Sequence, residues 1–359
     1  MEIALVLVAL LLAFSNGAND NFKGFASVWG SATLSYRNAL LLSSLATFAG
    51  ALVALVMAHG LVASFSGKGL VPPSALSAHG FMFAVACAAA LTIFSATRLG
   101  LPVSTTHALL GGLVGAGLGI VGTVNWAPLL QVFALPLLLS PLLAAAIGAL
   151  LYRSLAKLPI EDACVCVRAD PSAALPGHGA VHMSSALGDG ISLQLGSLTG
   201  ACADAPRQLA LKPSWDWLHI ASAMAICFAR GLNDTPKLTA LLLAAGTVSL
   251  HTSIVAVALV MTIGGLLYSR RVAQTMSQKL SRLDTRSGLM ANITTAGLVL
   301  TASHFSLPVS TTHVAVGSIA GAGASSGGLH PQALRNILLS WCATLPLAAV
   351  LAFFIGRLI

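Results

Sequence analysis

The chain has 359 residues; 8% are charged, 57% are hydrophobic, and 18 Lys+Arg against 10 Asp+Glu give a formal net charge of +8. A soluble domain carries about 25% charged residues, so a soluble globular fold is excluded, as are disorder by the apolar content and a small disulfide scaffold by the length. What remains is an integral membrane protein, with room for about ten or twelve crossings or part-crossings at roughly 20 residues each.

In chain order, the first apolar run covers 2–16. Glu2 precedes it and no Lys or Arg does, so it reads as a retained membrane helix rather than a signal peptide. Further runs follow at 38–60, 79–97, 104–121 and 127–152, and a second set at 217–229, 238–268, 289–303, 309–325 and 337–356. Between the sets, Arg153 to about Ser214 is polar and interrupted by Gly, Ser and Pro, which fits an extramembrane segment. The expected organisation is a first transmembrane repeat over 1–152, a central cytoplasmic loop domain over 153–214 and a second transmembrane repeat over 215–359. The expected fold class is all-α, a polytopic transmembrane helical bundle with two inverted repeats and discontinuous helices.

The repeat is read from two motifs that occur twice in the same order. Gly17-Ala18-Asn19-Asp20-Asn21-Phe22-Lys23 is echoed by Gly231-Leu232-Asn233-Asp234-Thr235-Pro236-Lys237, an offset of 214. Leu101-Pro102-Val103-Ser104-Thr105-Thr106-His107 recurs unchanged as Leu307 to His313, an offset of 206, and the match continues at Gly111/Gly317 and Gly115/Gly321. Internal repeats mark many transporter folds. The loop over 269–287 carries Arg270, Arg271, Lys279, Arg282 and Arg286, whereas its counterpart near 61–78 carries only Lys68. Loops on the same face should be equally basic, so the halves are expected to be inverted, with the basic loop and the central domain cytoplasmic.

Only Asp20 and Asp234 among the ten acids sit inside apolar runs, and they are repeat partners. An intramembrane carboxylate is costly and marks a functional site by default. With Asn19 and Asn233 beside them, they read as a cation or proton site, with the helix expected to break at Gly17, Gly231 and Pro236. The alternative is an i,i+3 ion pair with Lys23 and Lys237. Those lysines either meet an anion or compensate the acids. The Pro-Val-Ser-Thr-Thr-His motif reads as a helix N-terminus, where free N–H groups and hydroxyls form an anion site. Two such starts suit a tetrahedral oxyanion. His107 and His313 either relay protons or bond to a neighbouring helix.

The paired Gly-x-Asn-Asp and Pro-Val-Ser-Thr-Thr-His motifs resemble the inorganic phosphate transporter family, often called PiT. The resemblance covers both halves and omits the central domain. It implies a secondary active symporter that moves inorganic phosphate with sodium ions or protons, and no enzyme. By motif matching it implies phosphate binding by Ser104, Thr105, Thr106, Ser310, Thr311 and Thr312. It implies cation or proton coupling by Asn19, Asp20, Asn233 and Asp234. Many members continue the first motif as G-A-N-D-V-A-N-A, but here Lys23 and Lys237 stand in the motif. Their ammonium groups are expected to replace part of the cation requirement, which favours protons as the coupling ion.

No cofactor is expected beyond the coupling ion, H+ or Na+, and no catalytic residue or metal site. The expected partners are inorganic phosphate and the lipid bilayer of the plasma (inner) membrane, without nucleic acid; a homo-oligomer is compatible with the sequence. Cys87, Cys227 and Cys342 are expected in the core. Cys164, Cys166, His178, His182 and Cys202 lack a strong metal-ligand spacing. The rival readings are a sulfate or other oxyanion permease of the same fold, a membrane-embedded hydrolase and an oxyanion sensor. The symmetric duplication disfavours the hydrolase, because catalysis needs one of each role rather than two copies.

Overall fold

A computed structural model describes residues 1–57, 59–67, 69–76, 79–154, 163–168, 185–187, 191–197, 207–210 and 212–359. The first half comprises α1 (Glu2–Asp20), α2 (Ala26–Gly30), α3 (Tyr36–Met57), α4 (His59–Ser64), α5 (Pro73–Leu76), α6 (His79–Arg98), α7 (Thr105–Ala116), α8 (Trp126–Pro128) and α9 (Leu135–Ser154). The second half comprises α10 (Lys212–Leu243), α11 (Leu250–Tyr268), α12 (Arg270–Gln274), α13 (Thr285–His304), α14 (Thr311–Ser326) and α15 (Pro331–Leu358).

The central stretch adds β1 (Ala163–Arg168), β2 (Ser185–Leu187), β3 (Ile191–Ser197) and β4 (Arg207–Ala210). They form one antiparallel sheet in the order β2-β3-β1-β4, with Cys164 opposite Gly196 and Ala210. The helical reading therefore holds for the two halves, and the segment between them contributes strands. Cys164 and Cys166 fall on β1, whereas His178, His182, Cys202 and Lys68 lie outside the described residues.

Six helical stretches are long and apolar enough to cross a membrane. They are Glu2–Gly30, Tyr36–Val56, Gly80–Arg98, Trp126–Ser154, Leu250–Tyr268 and Pro331–Leu358. The protein is a polytopic membrane protein. Helix α10 is long enough but carries Arg230, Asp234 and Lys237, all buried. Its polar side chains face protein, so hydropathy alone undercounts it. Lipid-side helices show the converse: α9 exposes Leu138, Leu139, Leu142 and Leu143. Cys227 is buried, Cys87 partly so, and Cys342 is exposed on α15, so the core expectation fails for Cys342. That helix spends much of its surface outward.

Equivalent helices pack reciprocally across the halves. Helix α1 packs on α11 as α10 packs on α3, and α7 on α15 as α14 on α9. The same correspondence holds for α1 with α6 and α10 with α13. Glycines sit at the crossings. A Cβ at Gly17 would stand 1.8 Å from the Met261 carbonyl oxygen, and one at Gly231 2.1 Å from that of Thr47. At Gly115 and Gly321 it would stand 2.0 Å from the carbonyl oxygens of Ala349 and Ala145. The Gly-rich tails thus serve close approach of backbones.

Gly17, Gly231 and Pro236 do not break their helices. Helix α1 runs through Gly17, and α10 runs unbroken from Lys212 to Leu243. The glycines are consumed by packing. The interruptions lie at the end of the first motif, where α1 stops at Asp20 and a single 3-10 turn covers Lys23–Phe25, and between α6 and α7 and between α13 and α14.

Gly115→Ala and Gly321→Ala are expected to cost about 1–3 kcal/mol each by overpacking. Gly297→Ala, at an exposed position with nothing near the added atom, leaves stability unchanged or higher. Thermal unfolding in detergent reads both.

Candidate functional site

The two motif pairs converge at the centre of the bundle. Helices α7 and α14 begin in the same way. Ser104 Oγ accepts a hydrogen bond from the His107 backbone N–H at 3.1 Å, and Ser310 Oγ accepts from that of His313 at 3.2 Å. Both serines are N-caps, so their hydroxyls satisfy helix donors. Thr106 and Thr312 lie one residue into each helix and reach across. Thr106 Oγ1 donates to the Val309 carbonyl at 3.2 Å, and Thr312 Oγ1 donates to the Val103 carbonyl at 3.0 Å. The two helix starts are thereby tied to each other. Thr105 Oγ1 accepts from Asn16 Nδ2 at 2.7 Å, which fastens α7 to α1. Thr311, its counterpart in the second copy of the motif, is buried as well.

Lys23 and Lys237 occupy matching oxygen cages. Lys23 Nζ donates to Asn19 Oδ1 at 2.8 Å, the Val103 carbonyl at 3.0 Å and Thr312 Oγ1 at 2.6 Å, and it pairs with Asp20 Oδ1. Lys237 Nζ donates to Asp234 Oδ1 at 3.0 Å, the Val309 carbonyl at 3.1 Å and Thr106 Oγ1 at 3.1 Å, and it bonds Asn233 Oδ1. Each cage therefore holds an amide oxygen, a carboxylate oxygen, a backbone carbonyl and a hydroxyl from the other half. Oxygen sets of this kind suit hard cations, and here an ammonium group fills each one. The i,i+3 Asp–Lys ion pairs are formed.

The amides are held in turn. Asn19 Nδ2 donates to Thr97 Oγ1 at 2.9 Å and to the Leu101 carbonyl at 3.0 Å, while Asn233 Nδ2 donates to Ser303 Oγ at 2.9 Å. Thr97 and Ser303 are partners under the offset of 206. They orient the amides so that the carbonyl oxygens face the lysines.

The histidines form a stack below the helix starts. His107 and His313 rings meet edge to face at 4.4 Å, and His313 lies on Trp341 at 3.8 Å. Trp341 Nε1 donates to the Pro102 carbonyl at 3.0 Å, and His313 Nδ1 stands 3.4 Å from the Leu137 carbonyl. Contact with a neighbouring helix, the second of the two roles expected for these histidines, is present.

Arg230 was not legible as a site residue. It ends an apolar run immediately before Gly231, and it is buried on α10 with Nη2 3.0 Å from Asp20 Oδ2. Under the offset of 214 its counterpart is Asn16, which donates from Nδ2 to the same Asp20 oxygen at 3.3 Å. A residue-by-residue comparison of the two motifs, extended one place upstream, is the signal that finds it.

With this geometry in place, the similarities to known proteins are informative. A model described as the phosphate transporter family matches residues 16–352. The chain belongs to that family, whose members are transporters with phosphate as substrate. A Thermococcus kodakarensis protein provisionally named a phosphate permease is 28% identical, over 99% of this chain and 96% of its own length. A Bacillus subtilis protein, also provisionally named a low-affinity inorganic phosphate transporter, is 26% identical over 100% of this chain and 98% of its own. A solved structure described as the sodium-dependent phosphate transporter shares the fold with a TM-score of 0.75 at 20% identity, over 99% of this chain and 98% of that one.

Removing one member of a buried ion pair leaves an uncompensated charge and costs about 3–5 kcal/mol. Asp20→Asn should therefore lower the unfolding temperature as well as activity, since both Lys23 and Arg230 pair with it. The double variant Asp20→Asn with Lys23→Gln should recover a measurable part of that stability in detergent unfolding, because it returns the cluster to its wild-type excess of one basic side chain.

Proposed function

We propose that this protein is a secondary active symporter of inorganic phosphate, driven by protons, whose cation sites are filled by its own lysines. The observation that carries this reading is the pair of oxygen cages around Lys23 Nζ and Lys237 Nζ. A tethered ammonium supplies the charge a sodium ion would bring, and Asp20 and Asp234 remain as the carboxylates of the coupling site with Asn19 and Asn233. A second cation entering either cage would have to displace a buried ammonium, which Coulomb repulsion in a low-dielectric site opposes.

In this reading the oxyanion binds between the starts of α7 and α14. Ser104, Thr105, Thr106, Ser310, Thr311 and Thr312 line that place with hydroxyls and helix-start N–H groups, which favour an anion. Thr106 and Thr312, now bonded across to Val309 and Val103, exchange those bonds for substrate oxygens. Both lysines lie within hydrogen-bond reach of these threonines and turn toward the anion. The cross-links between the helix starts then become the element that opens and closes around the cargo.

The organisation that goes with it is a first transmembrane repeat at 1–152, a cytoplasmic central domain at 153–214 and a second repeat at 215–359, inverted and placed in the plasma membrane. Reciprocal packing of equivalent helices supports a two-fold repeat, and the unequal charge of the 269–287 loop and its counterpart supports inversion.

Reconstituted proteoliposomes test the coupling. Labelled phosphate uptake should proceed equally in sodium and choline media and should rise when an inward proton gradient is imposed. Strict sodium dependence without response to the proton gradient would refute the tethered-cation reading.

A further inference from the structure

Away from the charged centre, five positions break the two-fold repeat together. At the offset of 214, His219 corresponds to Leu5, Ser222 to Val8 and Leu241 to Ser27. At the offset of 206, Gly288 corresponds to Met82 and Asn292 to Ala86. Leu5, Met82, Ala86 and Leu241 are buried in one apolar core cluster, and Val8 packs against it. Their counterparts Ser27, His219, Ser222 and Asn292 are buried too, but polar. Equivalent places in the bundle are thus apolar in one copy and hydrogen-bonded in the other.

The polar copy is a closed ring of hydrogen bonds. His219 Nε2 donates to Ser27 Oγ at 2.9 Å, and Ser27 Oγ donates to Asn292 Oδ1 at 3.0 Å. Asn292 Nδ2 donates to Ser222 Oγ at 3.1 Å, and Ser222 Oγ donates to the His219 carbonyl at 2.7 Å. Because the Ser27 proton is committed to Asn292, Nε2 is the protonated nitrogen of the His219 ring. Gly288 makes the room, since a Cβ there would stand 2.5 Å from His219 Nε2 and 2.9 Å from Ser27 Cβ. The ring fastens α2 to α10 and α13. A buried network of this kind specifies one closed geometry. In contact with water its members exchange partners at little net cost, and His219 Nδ1, which has no partner among the described residues, gains one. Parting the apolar copy instead exposes surface at a cost proportional to its area.

What the ring holds is the segment that seats Lys23. Helix α1 stops at Asp20, and the 3-10 turn Lys23–Phe25 and α2 follow as a separate piece, with Ser27 four residues beyond Lys23. In the second copy, Lys237 and Leu241 lie within the continuous helix α10, with no joint between them. The segment also covers a buried thiol. A Cβ at Gly24 would stand 2.6 Å from Cys227 Sγ, and Cys227 Sγ donates to the Asn21 carbonyl at 3.6 Å. The far end of α2 meets the basic loop, where a Cβ at Gly30 would stand 2.6 Å from the Ser277 carbonyl oxygen. The apolar copy shares its cluster with Phe65 and Leu70, which belong to the counterpart loop near 61–78.

We propose that His219, Ser222 and Asn292 are positioning residues of the transport cycle: through Ser27 they latch the Lys23–Gly30 segment shut, and the site opens toward the basic-loop end when this ring is released to water. The equivalent place at the other end is closed by the apolar copy and has no such latch. The proposal rests on the reading of the Asp–Lys cluster and the helix starts as the transport site. Release of Ser27 frees the segment to hinge at Asn21 and Phe22, which draws Lys23 away from the Val103 carbonyl and Thr312 and uncovers Cys227. Opening of this end and loosening of the Lys23 cage are then one event, in which hydrogen bonds alone are exchanged.

Cys227 is the built-in reporter. The full-length protein in detergent is treated with N-ethylmaleimide, and alkylation of Cys227 is followed by peptide mass spectrometry, with the exposed Cys342 as the reference. Ser27→Ala should raise the Cys227 rate about tenfold or more, the change in open population that follows when buried partners lose a hydrogen bond. His219→Leu should do the same. His219→Gln, whose amide nitrogen can stand where Nε2 stood, should stay within about threefold of wild type. Leu241→Ala, the matching truncation in the apolar copy, should leave Cys227 as slow as in wild type, because it loosens the other end. If Ser27→Ala does not fold, Asn292→Ala is read in its place. A Cys227 rate in Ser27→Ala within about twofold of wild type overturns the latch. So does an equal rise with Leu241→Ala, which marks unfolding of the whole bundle, and so does a rise with His219→Gln as large as with His219→Leu. The measurement uses neither phosphate, sodium nor a proton gradient. Sodium-dependent uptake by the wild type therefore refutes the tethered-cation reading and leaves the latch standing.

Discussion

Five ionisable side chains buried inside an apolar bundle are the constraint on which the rest of the structure depends. An isolated ion in such a place costs many kcal/mol, so each must be paired and hydrogen-bonded. The pairing is achieved across the two halves. Lys23 joins Asp20 on its own segment to Thr312 of the second half, and Lys237 joins Asp234 to Thr106 of the first. Pulling the halves apart would strip partners from Asp20, Arg230 and both lysines at once. The glycines at the helix crossings follow from this. Gly17 and Gly231 stand beside the charged motifs, and their lack of a side chain lets α11 and α3 approach closely enough for the cages to close.

The same requirement explains the division of labour inside the Pro-Val-Ser-Thr-Thr-His motif. Its residues are near-identical in type and different in role. Ser104 and Ser310 are consumed as caps. The second threonines, Thr106 and Thr312, bridge the halves, and the histidines pack on each other and on Trp341. Each bridging threonine shares its carbonyl acceptor with the neighbouring lysine, so both lone pairs of the Val103 and Val309 carbonyl oxygens are used.

Symmetry gives two equivalent cages, and function in a transporter requires that the cargo see one site. Arg230 is the element that makes the two halves inequivalent at their charged centre. Its partner Asn16 fills the same place with a neutral amide. This single difference gives the buried cluster three basic side chains against two acidic ones.

Sequence by itself determined the membrane class, the two halves, the duplicated motifs and the isolation of Asp20 and Asp234. These are legible because scarcity of charge and repetition are one-dimensional signals. The presence of Lys23 and Lys237 three residues past each acid was legible too, as was the helix-start character of Ser104 and Ser310. Tertiary structure alone decided the partners. The helix running through Gly17, Gly231 and Pro236 could not be read, because a glycine that permits a crossing and a glycine that breaks a helix look alike in a string. The cross-half reach of Thr106 and Thr312 could not be read, since it depends on two helix starts meeting face to face. Arg230 stood at the edge of an apolar run beside a motif of known interest, but its significance is a distance of 3.0 Å to an acid in the other half. Pairing energy acts through space in a low-dielectric interior, and only the folded bundle brings those charges together.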